Sequence, residues 1–135
     1  MKNTKGWILI FMLLFSVFGL TACGGNDSNG SALTYEQITQ AEAKAIMDSG
    51  VECIIIDART EEEFAQGHIP GAILIPEYEI ASRAEAELPN KNALILVYCR
   101  SGRRSKIASQ ELVKLGYTNV KEFGGILDWQ YDVVK

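Results

Sequence analysis

"ALILVYCRSGRRSKIASQELVKLG", residues 93–116, decides the fold. Ala93 to Tyr98 is an unbroken apolar run, rich in the branched side chains of a strand buried on both faces. From Ser105 the pattern changes to helical spacing, with Ile107, Leu112 and Leu115 on one stripe, and it stops at Gly116. Between strand and helix lie Cys99 and four cations, Arg100, Arg103, Arg104 and Lys106. A strand that turns at once into a helix is half of a parallel βαβ unit.

The same rhythm extends in both directions. "ITQAEAKAIMDSG" carries Thr39 with Glu42 three residues on, a capping box, and ends at Gly50. "VECIIIDA" (Val51 to Ala58) reads as a buried strand, and "TEEEF" opens a second capped helix, Thr60 with Glu63, ending at Gly67. After the turn "HIPG", Ala72 to Ile75 reads as another buried strand, and "EYEIASRAEAEL" as a helix. Beyond Gly116, "NVKEF" is a further strand and "GGILDWQ" begins a last turn of helix. Strands alternating with helices imply a parallel sheet covered on both faces, an α/β/α sandwich with right-handed crossovers. Chemistry in such folds gathers at the carboxyl ends of the strands, where Cys99 stands.

The amino-terminal part is different in kind. Lys2 and Lys5 precede "WILIFMLLFSVFGL" (Trp7 to Leu20), an apolar run that is short for a membrane span but suits an export signal. It leads into "LTAC", residues 20–23, which is similar to the signal of bacterial lipoproteins. The expectation is a signal peptide over 1–22, lipid attachment at Cys23, a flexible glycine-rich tether to residue 33, and one domain over 34–135. A plain signal peptide or a short anchor helix is the alternative. The protein would then be exported and held on the cell membrane or envelope. All 17 acidic residues lie after Cys23 and two of the 13 basic ones before it, so the remainder carries a balance of −6. That excludes a general nucleic-acid or anionic-lipid surface.

Two cysteines remain. Cys53 lies in a strand and reads as a small core hydrophobe, although an exported domain could pair it with Cys99 in a disulfide. His68 is the only histidine, and no group of Cys, His and carboxylates has zinc spacing. Cations at the start of a helix oppose its dipole, at a cost on the order of tenths of a kcal/mol each. They make sense around an anion. A thiolate in this loop would be stabilised by the dipole, by converging N–H groups and by guanidinium charge, with Gly102 allowing the tight curl.

"CRSGRRS" resembles the active-site loop of the rhodanese family of sulfurtransferases. "IIDARTEEEFAQGHIPGAILIP" (Ile55 to Pro76) is similar to that family's upstream signature, and "FGGILDW" (Phe123 to Trp129) to its carboxyl-terminal one. The resemblance implies a three-layer α/β/α sandwich with a mainly parallel sheet of about five strands. It implies that Cys99 takes a sulfur atom from a small anionic donor such as thiosulfate, as a persulfide, and passes it to a thiol, cyanide or a protein acceptor. The loop N–H groups from Arg100 through Ser101, Gly102, Arg103 and Arg104 to Ser105 would hold that persulfide. Arg100, Arg103 or Arg104 would contact the donor. Asp57, Arg59, Glu63 and His68 are expected to hold the surrounding loops by ion pairs and hydrogen bonds, with contact to substrate as the alternative, and Trp129 to pack the domain's end or wall the pocket. No cofactor or metal is called for, and the domain is expected to be a monomer. The same fold hosts phosphatases and arsenate reductases, whose loop has five residues between Cys and Arg. Here the sixth residue after Cys99 is Ser105, which favours a single sulfur over an oxyanion. A sulfur relay or redox-sensing module without small-molecule turnover is the remaining alternative.

Overall fold

The structure, a computed structural model, describes residues 34–135. The expected leader, Cys23 and the tether lie outside the described residues. Five strands form one sheet: β1 (Glu36–Gln37), β2 (Ile54–Asp57), β3 (Ile73–Leu74), β4 (Ile95–Cys99) and β5 (Val120–Gly125). Their order is β1-β5-β4-β2-β3, and every pairing is parallel. The helices are α1 (Gln40–Asp48), α2 (Glu61–Gln66), α3 (Ile80–Glu87) and α4 (Arg103–Lys114).

Period-two alternation sorts the strand residues into two cores. On one face Ile56, Ile95, Val97 and Cys99 pack with Ala84 and Leu88 near α3 and with Ala108, Leu112 and Val113 of α4. On the other, Ile55, Leu96, Tyr98 and Phe123 pack with Ala43 of α1, Ile69 and the flank of Trp129. Strand β4 is central and buried along its whole length. Its alternation sends Cys99 to the α4 side and Tyr98 to the opposite side.

Both capping boxes form, Thr39 with Glu42 and Thr60 with Glu63. Three readings of the pattern need correction. Ala72 to Ile75 is no buried strand: β3 is a two-residue edge strand, and Ile73 is 39% exposed. Helix α4 starts at Arg103, and Ile107 faces out while Ser105, Ala108, Ser109 and Leu112 form the inner stripe. Serines replace large apolar residues there because the helix lies directly on its strands. The segment Glu36–Gln37, too short to show alternation, adds the fifth strand against β5. The expected last turn of helix forms at Ile126–Asp128, as a 3-10 turn.

Candidate active site

Strand β4 ends at Cys99, and Arg100 to Gly102 carry the chain into α4. Gly102 stands before the helix at φ +104, a conformation that side chains resist. That turn brings the Gly102 N–H back to Cys99 Sγ, 3.0 Å away. The thiol is 1% exposed and lies 3.4 Å from Ser105 Oγ. The expected convergence of N–H groups is thus recorded for Gly102 alone. Ser105 is fully buried, one helical turn further on, beneath the loop.

The loop rests on β5. The register shifts between Val97 and Cys99, so that Cys99 comes level with Gly125. A Cβ on Gly125 would overlap the Arg100 carbonyl and the Ser101 Cα. Arg100 O in turn accepts a hydrogen bond from Leu127 N–H at 3.2 Å. The glycine pair in "FGGILDW" is therefore a seat for the cysteine loop.

The loop cations separate. Arg104 forms a two-pronged pair with Glu63, at 2.7 and 2.9 Å, which ties α4 to α2. That hydrogen bonding, together with the bond from the Thr60 N–H, holds the Glu63 carboxyl down to about 2 against an opposing effect of burial. Of the three arginines expected to offer a donor contact, Arg104 is thereby engaged with a carboxylate. Arg100, Ser101, Arg103 and Lys106 are exposed. Among the described residues Arg100 and Arg103 form no ion pair.

The upstream residues form a separate framework. Asp57 is fully buried; its carboxylate accepts bonds from Arg59 Nε and Nη2 and from Tyr98 Oη, the last at 2.6 Å. Tyr98 Oη also accepts from Ile69 N–H, and Arg59 Nη2 donates to Gly67 O. Burial, foremost, and then the Asp57 charge push the Tyr98 hydroxyl above its ordinary range. His68 stacks on Phe64 at 3.7 Å, its Nδ1 donates to Phe64 O, and its backbone bridges Val134. Trp129 packs at an angle against Phe123 and donates to Asp132 O, on the sheet face away from Cys99.

Cys53 and Cys99 are free thiols at opposite ends of neighbouring strands. At about 3.3 Å per residue they stand roughly 15 Å apart, well past the ~7 Å reach of a disulfide. Cys53 is half-buried, and burial raises its thiol pKa.

Two buried residues join the site from outside the expected set. Tyr98, part of an apolar strand pattern, closes the Asp57 network. Glu122, 2% exposed, accepts from Ser105 Oγ at 2.6 Å and from Gly124 N–H at 2.8 Å. The signal was available: in "NVKEF", alternation puts Glu122 in phase with the buried Val120.

A buried thiol at the carboxyl end of the central parallel strand, clasped by the loop into the next helix, defines an α/β protein whose candidate site centres on a cysteine. The chain belongs to the rhodanese-like domain family, whose model matches residues 39–132. It is similar to Thiosulfate sulfurtransferase PspE of Escherichia coli, at 41% identity over 59% of this chain and 77% of that one. It is also similar to the Putative sulfur carrier protein YrkF of Bacillus subtilis, at 37% identity over 78% of this chain, which spans 57% of that protein. Among solved structures, "rhodanese with anions from E. coli" superposes with a TM-score of 0.59 at 39% identity, covering 62% of this chain and 99% of the other.

Proposed function

We propose that the protein is a thiosulfate sulfurtransferase working through a persulfide on Cys99. The observation that carries this reading is the Gly102 N–H aimed at Cys99 Sγ from 3.0 Å, at the mouth of a loop bearing Arg100 and Arg103. The Cys99 thiolate attacks the sulfane sulfur of thiosulfate. The donor's S–S bond breaks, sulfite leaves with the electron pair, and Cys99 keeps the sulfur as a persulfide anion. An acceptor thiolate then attacks the outer sulfur and returns Cys99 as a thiolate, so the cycle needs no oxidant or reductant. Arg100 and Arg103 attract the dianionic donor, while Arg104 braces the loop through Glu63. The name of the E. coli relative supports thiosulfate as donor, and the related structure is described as holding anions, the charge class of that donor.

A relay that hands sulfur to a protein partner is the second reading, favoured by the similarity to a putative sulfur carrier. The expected site of work is outside the cytoplasm, with the domain tethered to a membrane through lipid on Cys23 and acting as a monomer. Intact-mass measurement after incubation with thiosulfate tests the main reading. A gain of one sulfur atom, absent in Cys99→Ser, and release of sulfite with turnover by cyanide or a small thiol are expected. Loading without turnover would favour the relay. No adduct, or phosphatase activity in its place, would overturn both.

A further inference from the structure

Glu122 takes no part in the sulfur chemistry above, and burying a carboxylate without a cation is costly. Among the described residues no lysine or arginine lies within ion-pairing distance of it. Its Oε1 accepts from Ser105 Oγ and Gly124 N–H, and its Oε2 from Gln37 Nε2 at 3.3 Å. Ser105 Oγ in turn is the hydrogen-bond partner of the Cys99 thiol, 3.4 Å away. Cys99, Ser105 and Glu122 form a continuous chain under the loop.

A serine hydroxyl has one proton to give. Glu122 Oε1, at 2.6 Å, is its nearest acceptor, ahead of Gly102 O at 3.0 Å and Gly124 O at 3.4 Å. While Glu122 is ionised, Ser105 donates to it, and the thiol must donate to Ser105. Moving both protons one place reverses the chain. Glu122 takes the Ser105 proton, Ser105 takes the Cys99 proton, and the new O–H points at sulfur. The thiolate then receives two hydrogen bonds, from Ser105 and from Gly102 N–H. One negative charge passes from carboxylate to sulfur, and the number of protons in the site is unchanged.

We propose that Glu122 is a positioning residue that acts through Ser105, accepting the proton Cys99 gives up when it becomes a nucleophile. This rests on Cys99 being the nucleophile of the proposed function. The surrounding groups do not compete for the role. Arg104, whose guanidinium feels the Cys99 charge, is paired with Glu63. Lys106, Glu42 and Asp128 line the open groove on the outer side of Glu122. Tyr98, next to Cys99, donates into the opposite face. Gln37 is neutral.

The thiolate ultraviolet absorbance of the full chain, titrated with pH and with Cys99→Ser subtracted, tests the proposal. Wild type is expected to show thiolate appearing in two steps, because two groups share one proton. Glu122→Gln, close in shape, should show a single step. Its alkylation of Cys99 by iodoacetamide should fall roughly tenfold at the acid end and match wild type at the alkaline end. Ser105→Ala should shrink the low-pH step. A single step in wild type overturns the proposal without any variant. So does a two-step profile that survives in Glu122→Gln, or faster acid-side alkylation there, the mark of a carboxylate that only repels the thiolate. Iodoacetamide needs no sulfur donor, so a protein that fails to load from thiosulfate loses the donor assignment while the relay is still read.

Discussion

Two adjacent glycines seat the cysteine loop, and each does so for a different reason. Gly124 has φ +90, where a Cβ is strained. Gly125 is extended, at φ −134, and is required by space, since the Arg100 carbonyl and Ser101 occupy the place of its missing side chain. Gly125→Ala should therefore push the loop off β5 and part the Gly102 N–H from Cys99 Sγ. The expected result is loss of at least a tenfold factor in sulfur loading by mass spectrometry, with a stability cost of about 1–3 kcal/mol from overpacking. A variant that loads at the wild-type rate would show that the loop is not held by this contact.

At the scale of elements, α2 has only six residues and cannot stand alone in water. Its Thr60 capping box fixes its first turn, and Glu63 of that box also grips Arg104 of α4. One side chain thus caps a helix and braces the active-site helix. Thr60→Ala should cost about 1 kcal/mol in urea unfolding. The Glu63 carboxyl titrates at about 2 when folded against an ordinary 4.5, chiefly because of Arg104. An acid lowered by folding stabilises the native state above its unfolded pKa, and that support drains away as pH falls through the folded one. The contribution should be fully present above pH 4.5 and lost by about pH 2. Partial exposure of the pair limits it to about 1 kcal/mol. Unfolding free energies measured across that range should fall more steeply for wild type than for Glu63→Gln.

For the whole molecule, the parallel sheet separates two jobs by face. The α4 side holds the thiol, Ser105 and Glu122, while the other side holds the Asp57–Arg59–Tyr98 network that ties β2 to β4 and to the chain at Gly67 and Ile69. A fully bonded buried pair is costly to break from one side. Arg59→Leu should lower stability by roughly 3–5 kcal/mol, because Asp57 is left charged and buried. Tyr98→Phe should cost about 1–3 kcal/mol, because Ile69 N–H loses its acceptor while Asp57 Oδ2 loses one donor and keeps Arg59. Both are read by urea unfolding. Where the variants stay folded, sulfur loading per folded molecule should stay near wild type, since neither side chain touches Cys99.

Local chemistry determined the elements of this protein. The unbroken branched runs of β2 and β4 read as buried parallel strands, capping boxes set two helix starts to the residue, and a cysteine between the most apolar strand and a helix falls at the carboxyl edge of the sheet. The place of Cys99 and its loop between β4 and α4 was legible from that pattern and from the resemblance it carries. Tertiary structure decided what depends on strand order and register, which no short window contains. It placed Ala72–Ile75 at an edge, added Glu36–Gln37 to the sheet, and sent Ile107 outward. It paired Arg104 with Glu63 by setting α2 beside α4. Above all, the shift between β4 and β5 brought Gly125 under the loop and Glu122 against Ser105, a contact between residues 17 apart that exists only once the two strands pair.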